Sequence, residues 1–190
     1  MDWAEGTRAG SFALLCYSIV SVLAGLIIPA LAIRFKHITL FSMINIYTLS
    51  HLTVAVALLS TYFVQSVFSA TIILAIMGIP WAIVLWIPFS LVGEYVSVED
   101  EARQKQVTNA TTSHEEEEQR EEFDAGMVLG VHNMYVVFPQ FAVAIVSSLI
   151  FAAFKGDQTM SSVTPVLIFG GLMALVAAGF SRSISRVVKQ

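Results

Sequence analysis

Charge is what this sequence lacks over most of its length. Only 13% of its 190 residues are Asp, Glu, Lys or Arg, where a soluble domain carries about 25%. Five stretches, approximately 11–33, 38–64, 67–92, 125–154 and 158–181, contain none of the four. Cys16 is the single cysteine, which excludes disulfide frameworks and CxxC metal sites. No basic stripe interleaved with aromatics points to nucleic acid. No Gly-rich phosphate loop, GxSxG or HExxH offers group transfer or hydrolysis. No cluster of acids or histidines stands at a span end, as a membrane enzyme needs. Neither catalysis, a metal nor a cofactor is therefore expected. The opening "MDWAEGTRAG" is acidic and polar and lacks the basic region of a cleavable signal.

What is present is apolar. Hydrophobic residues make up 56% of the chain, and the mean hydropathy is +0.76. A bilayer core about 30 Å thick is crossed by roughly 20 apolar residues in a helix, and each uncharged stretch is long enough. Lipid leaves backbone groups to be satisfied internally, so the spans must be helices. The expected fold is an all-α membrane protein with five transmembrane helices. Residues 1–92 hold three of them, with Gln65 and Ser66 marking a tight turn between the second and third. Residues 125–190 hold two more and a basic tail.

Between these blocks, segment 93–124 contains eleven of the fourteen acids and shows no apolar period. It reads as a disordered acidic cytoplasmic loop. Its "HEEEE", residues 114–118, is a solvated charge run or a weak cation site. Lys and Arg set the direction of the spans. Arg34, Lys36, Arg103, Lys105, Arg120, Arg182, Arg186 and Lys189 fall on one side, and Arg8 and Lys155 on the other. The carboxyl terminus is thus expected in the cytoplasm and the amino terminus outside. An odd number of spans starting outside reads as the tail of something longer.

Two spans contain residues that lipid disfavours. In "GIPWAIVLWIPFSLVGE", Pro80 and Pro88 each remove an intrahelical hydrogen bond and are read as helix kinks. Trp81 and Trp86 could stack on the apolar face of a sugar or anchor at the interface. In "GVHNMYVVFPQ", Pro139 is a further kink. Helical spacing lines up Gly126, Gly130, Asn133, Val137, Gln140, Ala144 and Ser147 on one small or polar face, and Gly126 with Gly130 forms a GxxxG that admits a close helix neighbour. Asn133 and Gln140 are interhelical hydrogen-bonding groups or walls of an aqueous path reading hydroxyls. His132 beside them, and His51 in the second span, are structural histidines or proton-linked ones.

"GIPWAIVLWIPFSLVGE", then a charged insert, then "AGMVLGVHNMYVVFPQ" resembles the proton-coupled sucrose and α-glucoside transporters. These form part of the glycoside-pentoside-hexuronide:cation symporter group of the major facilitator superfamily. "EGTRAGSFALL" is similar to that family's approach to helix eight, and the acidic insert is closer to fungal members. The resemblance covers the last five of twelve helices. It implies a disaccharide or α-glucoside and protons as transported species in a complete transporter. It also implies a substrate pathway including Asn133, Gln140, His132, Trp81 and Trp86, and residence in the plasma membrane, or else the vacuolar one. The family's charged membrane residues have no counterpart here, so the chain alone is expected not to transport. The competing expectation is a non-transporting membrane protein bound to another lobe or subunit.

If segment 93–124 is cytoplasmic, the "NAT" at Asn109 escapes glycosylation. Glycosidase treatment of the native chain should leave its gel mobility unchanged; a downward shift would reverse the topology.

Overall fold

A computed structural model describes residues 3–35, 37–109, 125–155 and 163–187. Among these residues the chain forms six α-helices: α1 Trp3–Arg34, α2 Met43–Ser60, α3 Val67–Ile76, α4 Gly78–Asn109, α5 Ala125–Phe154 and α6 Val163–Val187. Short 3-10 turns occur at Thr39–Phe41 and Thr61–Phe63. Five helical segments are long and apolar enough to cross a membrane, with α3 and the apolar part of α4 forming one of them. The turn expected at Gln65 and Ser66 is present, and the Ser66 hydroxyl caps α3 by accepting from the Ser69 N–H at 3.1 Å.

Three boundaries differ from the expectation. The first helix starts at Trp3 rather than near residue 11, because Ala4, Glu5, Arg8 and Ala9 favour helix and no proline intervenes. The third span is interrupted: α3 ends at Ile76 and α4 starts at Gly78. Pro80 supplies the reason. It has no N–H for the Ile76 carbonyl, and its ring would collide with that carbonyl in a continuous helix. In the first turn of a new helix the missing donor costs nothing.

The third difference corrects the disordered loop. α4 continues to Asn109, so residues 93–109 are helical. Ala102, Arg103, Gln104, Lys105 and Gln106 are good helix formers, and Lys105 pairs with Glu101 one turn earlier at 3.4 Å. A span already folded supplies the nucleus, and extension adds a bond per residue. The rest of the acidic segment, 110–124 with "HEEEE", lies outside the described residues, as do 158–162 of the expected fifth span.

The chain divides into two compact units, Met1–Ile87 with Ser147–Gln190, and Pro88–Val146. In the first, Ala32, Ile46, Ile83 and Ile87 form a buried cluster, with Ile28, Tyr47 and Trp86 packed on it. α1 and α4 run parallel. A Cβ on Gly78 would lie 2.5 Å from the Tyr17 carbonyl oxygen and 2.8 Å from the Ser21 nitrogen, and one on Gly25 3.9 Å from the Ala82 Cβ. α2 and α6 run antiparallel: Thr48 and Ser181 share a hydroxyl hydrogen bond of 2.6 Å, while Gly171 meets Leu59 near the other end. The buried residues on these helices are mostly small, Ala13, Ala24, Ala55, Ala57, Ala174 and Ala178, as expected where dispersion rather than water exclusion drives association. Large side chains such as Leu26, Val56 and Phe180 are exposed, facing where lipid would be.

In the second unit the Phe89 ring of α4 meets the His132 ring of α5 edge to face, with centroids 5.0 Å apart and planes at 83°.

Among the described glycines, Gly78 is the one where an added Cβ would come nearest another helix, against its backbone. Gly78→Ala should therefore destabilise the protein by about 1–3 kcal/mol. Gly179→Ala, which meets nothing within 4 Å, should be neutral or gain up to about 1 kcal/mol in helix propensity. Unfolding midpoints in detergent test the pair, and equal midpoints would contradict the contact.

Candidate functional site

Helical geometry separates the expected pathway residues into two groups. Trp81 stands one residue beyond Pro80, in the first turn of α4, and is 53% exposed. It forms part of the wall of a cavity of about 690 Å³ in the first unit. Tyr17 of α1, Leu58 of α2, Leu74 of α3 and Thr164 of α6 contribute to the same wall, with Thr61. The wall is chiefly apolar. The Thr61 hydroxyl is already committed, donating to the Leu58 carbonyl, so Tyr17 and Thr164 supply the remaining hydroxyls. Pro80 is fully buried and also borders the cavity.

Trp86 stands elsewhere. It packs on the cluster of Ala32, Ile46, Ile83 and Ile87, so its indole contributes to helix packing, and the cavity wall takes Trp81 alone of the pair.

The second group lies on α5, which runs through Pro139 without interruption. Proline at 139 leaves the Tyr135 carbonyl without its usual intrahelical donor. Asn133 and Gln140 are both exposed, as are Gly130, Val137 and Ala144 on the same face. A Cβ on Gly130 would meet nothing within 4 Å, so the GxxxG does not bring a described helix close at that position; the tight glycine contacts are at Gly78, Gly170 and Gly171. The opposite face carries Val131, Met134, Tyr135, Phe138, Pro139 and Ala142 around an apolar groove of about 500 Å³. α5 is thus polar along one exposed face and apolar along the other.

His132 lies between those faces, half-buried, with a buried Nε2 that has no hydrogen-bond partner among the described residues. His51 differs. Its Nδ1–H donates to the Tyr47 carbonyl at 2.8 Å, and its ring meets that of Tyr47 at 4.5 Å. Phe89, against His132, was not among the residues singled out in the sequence. Its signal there was only its place directly after Pro88. Among the described residues, no three His, Cys, Asp or Glu side chains come together to hold a metal ion.

The relatives give these helices a context. The chain is 31% identical over 132 residues to the general alpha-glucoside permease of Schizosaccharomyces pombe, covering 68% of this chain and 20% of that protein. It is 25% identical over 137 residues to the MFS-type transporter cctQ of Talaromyces islandicus, covering 72% of this chain and 50% of that protein. This chain is a homologue of fungal membrane transporters. With its five apolar helices it is a multi-pass membrane protein. The matched region spans about a fifth of one relative and half of the other. No family model and no solved structure matches this chain.

Proposed function

We propose that these five helices are the carboxyl-terminal part of a proton-coupled α-glucoside transporter of the major facilitator superfamily, carrying sucrose or maltose. The reading rests on the kinship with the permease. One structural observation supports it: Asn133 and Gln140 lie exposed on a helix apolar enough to cross a membrane. An amide turned to hydrocarbon without a partner costs several kcal/mol. Their carboxamides can both donate to and accept from hydroxyls, which is what a sugar offers. Water and sugar along that face would remove the cost.

The carboxyl terminus is cytoplasmic in this proposal, from the distribution of Lys and Arg, and the plasma membrane is the expected location. Transport would proceed by rocking of two lobes about a central site, with these helices in one lobe. Pro88 and Pro139 supply points where α4 and α5 can bend. The same exposed face would also suit a non-transporting protein whose amides are covered by another subunit.

Cysteines at 133 and 140, in a full-length transporter carrying these helices, distinguish the two. Both should react with a water-soluble thiol reagent, and sucrose or maltose should slow the reaction. Unreactive cysteines in a folded protein would assign Asn133 and Gln140 to helix contacts instead.

A further inference from the structure

Two basic segments far apart in the sequence meet at one end of the first unit. The buried cluster brings Ala32 of α1 against Ile46 of α2, with Met43 packed on it. The bond between Thr48 and Ser181 brings the end of α6 beside the same part of α2. α1 therefore delivers Arg34, and α6 delivers Arg182, to the end of the unit where α2 starts. Both are exposed, as is His37 in the connection between α1 and α2. The two segments also contain Lys36, Arg186 and Lys189, and neither 34–48 nor 178–190 contains an Asp or Glu. Arg34 and His37 make no ion pair among the described residues.

We propose that this end of the first unit binds anionic phospholipid, with Arg34, His37 and Arg182 towards the headgroups and the apolar side chains of the α1–α2 connection towards the acyl chains. Guanidinium groups suit phosphate oxygens because they can donate two parallel hydrogen bonds. Basic groups at a bilayer surface also attract anionic lipid through the surface potential. The proposal needs the helices to lie in a bilayer. It does not depend on which solute they carry or on protons.

The α1–α2 connection favours a lipid over a free phosphate or a soluble acidic partner. Phe35, Ile38 and Leu40 are exposed beside Arg34 and His37 in the chain. A phosphate ion offers those side chains nothing, whereas a phospholipid brings charge and hydrocarbon together. The connection is also held in shape. The Ile38, Phe41 and Ser42 amides donate to the carbonyls of Phe35, Ile38 and Thr39. Asn45 Nδ2 donates to the Thr39 carbonyl as well, and the rings of Phe35 and Phe41 stand 5.5 Å apart. A surface already ordered loses less entropy on binding.

The opposite end of the unit supplies a contrast. Phe63 and Phe68 are exposed there too, so apolar exposure does not distinguish the two ends. Charge does. The remaining bases of the unit, Arg8 and Lys155, stand in segments that also contain Asp2, Glu5 and Asp157.

Native mass spectrometry of the 190-residue chain in detergent tests this, with phosphatidylinositol or phosphatidylcholine of the same acyl chains added. Phosphatidylinositol should be retained roughly tenfold more than phosphatidylcholine, and excess inorganic phosphate should not displace it. The double variant Arg34→Gln/Arg182→Gln should lose most of that preference. Arg8→Gln/Lys155→Gln, with the same change in net charge, should keep it. Equal retention of the two lipids would overturn the proposal, and is the result expected if the eleven acids of segment 93–124 already neutralise these bases. Equal losses in the two double variants, or displacement by inorganic phosphate, would overturn it as well. Amide hydrogen exchange on the unaltered chain locates the lipid even where a variant does not fold. Phosphatidylinositol should slow exchange in residues 35–45 relative to phosphatidylcholine and leave 61–67 unchanged. No slowing at 35–45, or as much at 61–67, would contradict the assignment. These readouts involve no sugar, so they can fail while sugar still protects cysteines at 133 and 140.

Discussion

The bilayer core contains no water, and each polar group placed there needs a partner from the protein. That constraint organises most of this structure. The backbone is satisfied by helices, and the hydroxyls follow the same rule by donating back to carbonyls of the preceding turn. Ser18 donates to Leu14, Thr48 to Ile44, Thr53 to Leu49 and Thr71 to Val67. Ser50 and Ser181, the buried polar residues, donate to the carbonyls of Tyr47 and Ala178. Ser181 and Thr48 also meet across α2 and α6, where one of the two turns its single hydroxyl proton from its own carbonyl to the other hydroxyl. With lipid as apolar as leucine, contact between helices comes from close approach, and alanine and glycine supply it at Ala55, Gly78 and Gly171.

α5 departs from the rule. Two exposed carboxamides, a proline and a histidine with an orphaned nitrogen fall within three turns of one helix. Each alone is a tolerable cost. Together they are the groups that the proposed aqueous path along α5 would satisfy. The cavity of the first unit contrasts with this, since its walls are chiefly apolar. A hydroxylated solute would find fewer partners there than along Asn133 and Gln140.

Much of this was legible in the sequence. The five spans and the turn at Gln65 and Ser66 follow from uncharged length and a polar pair. Pro80 signalled a disturbance, although its position at the start of a new helix depended on where the break fell. The helical 93–109 was not legible. Its high charge argues against a packed core, but α4 needs no core there, since it prolongs a span already formed. The GxxxG at Gly126 and Gly130 drew attention away from Gly78, because a motif states that close approach is tolerated and not which helix arrives. The pairing of Phe89 with His132 joins residues on either side of segment 110–124, beyond the reach of any local pattern. Trp81 and Trp86, equivalent as letters, separate only once the core cluster takes one of them.

In the proposed transporter a polar face on one lobe needs an opposing wall before it can alternate between two sides of a membrane, and these five helices would provide one side. Uptake of labelled maltose or sucrose by proteoliposomes containing only this chain, under an imposed proton gradient, measures this directly. The expected result is no accumulation above the external concentration. Accumulation that collapses on adding a protonophore would contradict it.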